Sequence, residues 1–362
     1  MNTNTAHFVY LGNSLPKYSR ASLDLAVRFS GLEIHLLGNS ALKSDVSSKF
    51  VKFTAIEDFY NPGEFRRASN QILSDSSFRN GFWLKTLERF FVLEQYFKAA
   101  ALNSLFHAEL DQLLFRNDIL LSKIESLGHR GTFFPLQSQK EGIASVFFCN
   151  NHDSLRSLID FSLVNVFQNE MTLLADWASA APEHVFALPT LGSVINSSPT
   201  AIIDQVHEVS HKDIGGIVDA AQLGQWVGGI DPQNLPISDI PKTKFVNSAG
   251  ESSLSLEQLK KLEFELNRTD GFLWVSFKGE IPFVVYNLHL HSKAHEFLNR
   301  SKNSIYKFLK WANLNGARPI PGFRKKQLLD HARSRIQFFL EDPKRIVSGL
   351  RRRVSRLFKF RL

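Results

Sequence analysis

The period of the apolar positions changes several times along the chain, and each change marks an element. A short apolar run over residues 8–11 ends at Gly12-Asn13, helical spacing follows over 22–29, and a second run at 33–37 ends at Gly38-Asn39. Apolar strands that stop at glycine and alternate with a helix predict a parallel, doubly wound beginning. A long helix is predicted over 82–101, with Leu84, Leu87, Phe90, Phe91 and Phe97 on its apolar side. Lys85 and Arg89, four apart, fall on one exposed face of it. Further strands are predicted at 102–107, 131–135 and 144–149, and helices at 154–167 and 171–180. Residues 189–241 are rich in Gly, Pro and Ser and keep no clear period, which predicts binding loops rather than a linker. A helix over 255–267, strands over 271–278 and 282–290, and helices with a basic surface from 295 onward complete the reading.

Composition sharpens this picture. A chain of 362 residues, 43% hydrophobic and 22% charged, can bury a large core in one α/β domain with an appendage. Phe occurs 32 times against 6 Tyr and 5 Trp, and such a bias fits a preferred core filler. The single cysteine, Cys149, leaves no intramolecular disulfide and no cysteine-based zinc cage. The opening residues have no cationic segment ahead of an apolar one, and no apolar run reaches the length a bilayer requires. Together these predict a cytoplasmic protein. The net charge of +8 is uneven: from Phe323 onward there are thirteen Lys or Arg against three Asp or Glu, so everything before is close to neutral.

Several groups of residues could carry chemistry. In Leu105-Phe-His-Ala-Glu109-Leu-Asp111 an apolar strand emerges into two acids one residue apart, which places carboxylates at the carboxyl end of a sheet. Hard oxygen donors so placed can hold Mg²⁺ or Mn²⁺. In Tyr286-Asn-Leu-His289-Leu-His291-Ser-Lys293 the two histidines share a strand face and are metal-capable, while Lys293 suits a phosphate. Lys85 and Arg89, beside Trp83, could reach a pyrophosphate. The segment from Asp219 to Pro232 has glycines that permit close approach, with Asp219, Gln225 and Trp226 able to hold a sugar. Asn169-Glu170-Met171 begins a helix and could supply a second acid. Each of these taken alone has an ordinary explanation as solvated turn, helix or loop residues.

Taken in order, the pieces resemble bacterial GT-A glycosyltransferases of polysaccharide assembly, over roughly the first three hundred residues. The resemblance is carried by Glu109-Leu-Asp111, where a DXD motif would stand, and by the late His289-Leu-His291-Ser-Lys293 run. It implies a GT-A-like doubly wound mixed sheet flanked by helices over 1–300, with a basic helical extension over 301–362. It also implies transfer of a sugar from a nucleotide-sugar donor, uridine-based as in much of this class, with Mn²⁺ or Mg²⁺ as cofactor. Asp111 maps to the direct metal ligand, with His291 as the completing histidine and Glu109 and His289 as further metal candidates. Leu11, Gly12, Lys85, Arg89, Glu109 and Lys293 then fall to the nucleotide-sugar, and Gln225 and Trp226 to the acceptor. Asp219, and after it Glu170, are the candidate bases if the reaction inverts configuration. The first acid is Glu rather than Asp, a departure from the family motif.

Residues 343–362 interleave Ile346, Val347, Leu350, Val354, Leu357 and Phe358 with Arg351, Arg352, Arg353, Arg356, Lys359 and Arg361, which predicts a basic amphipathic helix. Such a helix can lie on the anionic inner face of a membrane, which suits a lipid-linked or glycan acceptor. A helix packed on the domain explains the pattern equally. A nucleic-acid-binding protein has only the basic tail in its favour, and the near-neutral first 322 residues count against it. A non-catalytic scaffold of the same fold is the remaining alternative.

Overall fold

The computed structural model describes residues 4–46, 48–74, 81–195, 203–228, 260–290, 298 and 304–315. In chain order its strands are β1 (Thr5–Tyr10), β2 (Glu33–Gly38), β3 (Val51–Ala55), β4 (Leu105–Ala108), β5 (Gln112–Leu114), β6 (Thr132–Phe134), β7 (Leu136–Ser138) and β8 (Glu141–Gly142). There follow β9 (Val146–Cys149), β10 (Val185–Ala187), β11 (His207–Glu208), β12 (Gly216–Ile217), β13 (Leu262–Leu266), β14 (Leu273–Phe277), β15 (Phe283–Val285) and β16 (Asn287–His289). Eight of them form the central sheet, in the order β11-β10-β6-β9-β4-β1-β2-β3. Only β9 runs against its neighbours, so the sheet is mixed, as expected.

Central strands of such a sheet are covered on both faces and read as continuous apolar runs. Successive residues then serve opposite layers. Phe147 packs toward the helices Phe82–Ala99, His152–Val164 and Glu170–Ala180, with ring centroids 5.6 Å from Phe90 and 6.0 Å from Phe134. Phe148, the next residue, faces Lys17–Phe29 and Asn117–Ser126 and meets Phe133 at 5.6 Å. The abundant Phe is therefore core material in both layers, as its frequency implied.

A third apolar cluster lies around β13, β14 and the helix Ser304–Asn315. Here the structure departs from the sequence reading. A helix was expected over 255–267, yet Leu262–Leu266 is a strand paired antiparallel with β14. Its Leu-Glu-Phe-Glu-Leu alternation buries every second residue, which is the period of a half-buried strand. Asn313 clasps its edge, accepting from the Phe264 N–H at 2.8 Å and donating to the Phe264 carbonyl at 2.9 Å. Ser304–Asn315 thus packs on the body, although the sequence assigned it to the C-terminal extension. The basic segment 343–362 lies outside the described residues. No described helix is long and apolar enough to cross a membrane.

On the face of the long helix, three histidines stand abreast: His7 pairs in register with His35 on one side and with His107 on the other. His107 Nδ1 lies 2.9 Å from the His7 carbonyl and His7 Nδ1 lies 3.2 Å from that of Phe106, so each of these nitrogens donates. Burial holds His7 down to about 3 and His35 to about 4, and pushes His107 well below its ordinary value. These rings fold neutral and gain a proton only on unfolding. Stability is therefore complete above the unfolded value of about 6.5 and falls as pH drops below it, by roughly 1.4 kcal/mol per pH unit for each such histidine. Urea unfolding between pH 4.5 and 7.5 should show this loss, and His7→Gln should remove about one proton of uptake from its slope.

Candidate active site

The chain leaves β1, builds β2 and β3 to one side, and then returns to place β4 on the other side of β1. At such a reversal the crevice outside the carboxyl ends of the two strands is where an open α/β sheet receives ligands. Leu11 and Gly12 follow β1 there, with Asn39 donating to the Gly12 carbonyl at 3.2 Å. Glu109 and Asp111 follow β4.

Both acids sit on a tight turn rather than on the strand itself. The Glu109 N–H donates to the Ser145 carbonyl at 3.0 Å, and the Gln112 N–H closes the turn on the Glu109 carbonyl at 3.1 Å. The turn leads into β5, which pairs antiparallel with β16 and sets His289 opposite Gln112. The Leu290 N–H then donates to the Asp111 carbonyl at 2.9 Å, tying the two segments where the acids lie. As a result His289 Nε2 is 3.3 Å from Asp111 Oδ2 and 3.6 Å from Glu109 Oε2. One ligand atom from each of the three residues lies within 4.8 Å of the others. Adjacent ligands around an octahedral cation with bonds near 2.1 Å are about 3 Å apart, so a small contraction would make this a three-ligand site for Mg²⁺ or Mn²⁺.

Arg89 is buried to 6% exposure, pairing with Glu109 and, at 3.0 Å, with Glu170 Oε1. Burial alone would lower the Arg89 pKa, but Glu170 and Glu109 outweigh it and the guanidinium stays charged. Among the described residues Arg89 is thus the guanidinium shared by Glu109 and Glu170, with Asp111 close enough to add to its pull. Glu170 opens its helix, held there by the Asn169 side chain accepting from Met171 N–H at 3.0 Å and Thr172 N–H at 3.1 Å. Burial raises the Glu170 pKa to about 7 against the pull of Arg89, with Glu109 and Asp111 adding to the rise. Its second oxygen, Oε2, is buried and has no hydrogen-bond partner among the described residues.

Several residues expected at the site are placed differently. Arg89 is not on an exposed face with Lys85: Lys85 is exposed, whereas Arg89 lies inside, its reach taken up by two carboxylates. Asp219 does not have the geometry of a base. Its Oδ1 accepts from the Ala221 and Leu223 N–H groups, both at 3.0 Å, and its Oδ2 from Gly224 at 2.7 Å and His289 at 3.0 Å. Burial lifts its pKa against these donors, but four N–H groups leave neither oxygen open to an acceptor. Trp226 is 3% exposed within the third apolar cluster, and Gln225 beside it is fully buried, so neither offers a face for sugar stacking. His291 and Lys293 lie outside the described residues. Gly224 does what a glycine there suggested: a Cβ would overlap the His289 backbone, so the helix Gln222–Gly228 rests directly on β16. Two participants carried no motif signal, the buried Gln112 and Asn287 of the paired strands.

No protein-family model and no curated protein sequence matches the chain. Among solved structures it is similar to mouse xyloside xylosyltransferase 1 in its apo form, at 10% identity and a TM-score of 0.37, covering 56% of this chain and 92% of that one. It is likewise similar to the galactosyltransferase LgtC in complex with donor and acceptor sugar analogs, at 14% identity and a TM-score of 0.37, over 57% of this chain and 84% of that one. The glycosyltransferase GlyE of Streptococcus pneumoniae overlaps 59% of this chain and 46% of its own, at 14% identity and a TM-score of 0.28. These are partial overlaps at low identity, and what the site can do follows from its own geometry.

That geometry makes Arg89 the countercharge of the cluster. Arg89→Met removes it and leaves Glu109 and Glu170 facing each other under burial, at a cost of roughly 3–5 kcal/mol. Urea unfolding at pH 7.5 without divalent ions should report that loss, and a change below about 1 kcal/mol would mean that the carboxylates are not held by this ion pair.

Proposed function

We propose that the protein is a divalent-cation-dependent glycosyltransferase, moving a sugar from a nucleotide-sugar donor to a glycan or lipid-linked acceptor. The observation that carries this reading is the convergence of Glu109, Asp111 and His289 at the carboxyl ends of β1 and β4. Asp111 and His289 would be the principal cation ligands, with Glu109 shared between the cation and Arg89. A bound Mn²⁺ or Mg²⁺ supplies Lewis-acid neutralisation of the charge that builds on a departing nucleoside diphosphate. Leu11 and Gly12, following β1, border the crevice for the nucleoside part, and the missing side chain of Gly12 makes room for the Tyr10 ring. Lys85 is an exposed cation for the same ligand. His291 and Lys293, two and four residues beyond His289, belong to the proposal on sequence alone.

Glu170 takes the role that Asp219 cannot. In an inverting transfer the acceptor oxygen bonds to the anomeric carbon, the bond to phosphate breaks with its electrons, and the hydroxyl proton passes to a carboxylate. Glu170 Oε2 has no hydrogen-bond partner among the described residues, and a base whose pKa lies near the working pH is well matched to such a step. A retaining transfer needs no such base. The basic segment 343–362, placed on an anionic leaflet, would bring this site to a lipid-linked acceptor.

Titration calorimetry with a panel of nucleoside diphosphates, with and without Mn²⁺, tests the reading. One diphosphate, expected to be UDP, should bind only with the metal. Asp111→Ala should weaken that binding by at least the roughly 100-fold that even residues supporting a ligand can cost. Absence of binding by every nucleotide under both conditions would remove the glycosyltransferase reading.

A further inference from the structure

Among the described residues β16 belongs to a sheet of only two short strands, with no described strand beside its other edge. A buried strand edge must have its N–H groups satisfied by something else. For the His289 N–H of β16 that role falls to Asp219, whose own backbone is held by the Asn287 side chain. Asp219 Oδ2 accepts from the His289 N–H at 3.0 Å and from the Gly224 N–H at 2.7 Å, so a single oxygen joins the strand to the helix Gln222–Gly228. The Asp219 N–H donates to Asn287 Oδ1 at 2.9 Å, and Asn287 Nδ2 donates back to the Asp219 carbonyl at 3.0 Å. The same Nδ2 reaches Gln112 Oε1, on β5, at 2.8 Å. These groups are buried, Asp219 at 2% exposure and Asn287 and Gln112 at zero. A closed polar tie of this kind permits few other arrangements, because shifting any member leaves a buried donor or acceptor unmet.

We infer that Asp219 is a positioning residue of the cation site, fixing the His289 backbone and through it the direction of that imidazole toward Asp111 and Glu109. The inference rests on the reading of Glu109, Asp111 and His289 as cation ligands. The fold alone needs only the cap on Gln222–Gly228, and Oδ1 already provides that cap through Ala221 and Leu223. The bond from Oδ2 to His289 lies outside the helix and two bonds from the imidazole-bearing carbon. An amide at this position can replace one oxygen but not both. In Asp219→Asn the oxygen can keep the cap, while the NH₂ then faces the Gly224 and His289 N–H groups and pushes them away.

The test is Mn²⁺ binding to the full chain, read as free Mn²⁺ by electron paramagnetic resonance well below the melting temperature of each variant. Residues that orient a metal ligand typically change affinity 10–100-fold, and Asp219→Asn is expected to weaken Mn²⁺ within that range. The visible spectrum of added Co²⁺, which reports the imidazole ligand, should change in the same variant. An unaltered Co²⁺ spectrum with wild-type Mn²⁺ affinity in folded Asp219→Asn would overturn the inference, leaving Asp219 a helix cap only. If that variant does not fold, Asn287→Ala loosens the same tie while keeping the carboxylate. It is expected to lose Mn²⁺ affinity several-fold, and wild-type affinity would again overturn the inference. His289→Ala separates the two levels: if it binds Mn²⁺ as the wild type does, the cation-site reading itself fails, whatever Asp219 does.

Discussion

Carboxylates crowded into a space with one guanidinium are the constraint around which the rest of this structure is arranged. Glu109, Asp111 and Glu170 meet where water is largely excluded, and Arg89 is the cation buried with them. Removing charges from water costs several kcal/mol each, and their mutual attraction repays it only where geometry and hydrogen bonding are good. The two bonds from Arg89 meet that condition for Glu109 and for one oxygen of Glu170. Asp111 stands outside these two bonds, 3.3 Å from His289 Nε2. A protein that only required stability would do better with apolar side chains at these positions. Glu109, Asp111 and His289 are instead gathered closely enough that a cation could lie between them.

The sheet explains why the charge is here and not elsewhere. β1 and β4 are central strands, apolar on both faces, so their polar continuations can only emerge at their ends. The reversal of strand order between them opens a crevice at the same point. Two chain segments far apart in sequence then close it: the turn after β4 supplies the acids, and the short pairing of β5 with β16 supplies the histidine. A pairing of three residues on each side has little ladder of its own, so Asp219, Asn287 and Gly224 do much of the work of placing β16.

How much of this could be read from the letters depended on whether local pattern or burial decided the outcome. β1, β2, β4 and β9 were legible because apolar runs that stop at glycine, an acid or asparagine are local signals. So were the acid pair at 109 and 111 and the strand bearing His289. Arg89 was not. The helix Phe82–Ala99 buries Leu87, Phe90, Phe91, Val92, Leu93 and Phe97, which go nearly round its axis, so periodicity gave no basis for calling any face exposed. The strand Leu262–Leu266 was missed although its strict alternation was visible, because charged residues at every second position also suit a helix surface. Asp219 had a signal as well: an acid followed three residues later by Gln222 resembles the opening of a helix. Read as a helix cap, it would not have been taken for a base.

The acids of this region therefore differ in role because they differ in what already holds them, not in chemical type. Asp219 has both oxygens committed to four backbone donors, so it can orient but cannot exchange a proton with a substrate. Glu170 is committed to Arg89 at one oxygen, its other oxygen is buried with no hydrogen-bond partner among the described residues, and burial raises its pKa to about 7. Glu109 and Asp111 share His289 across 3.6 and 3.3 Å, the one arrangement of the set that a cation would tighten rather than disrupt. Anchoring, proton transfer and cation binding need different degrees of freedom in a carboxylate. The number of donors placed around each one sets which of these it could do.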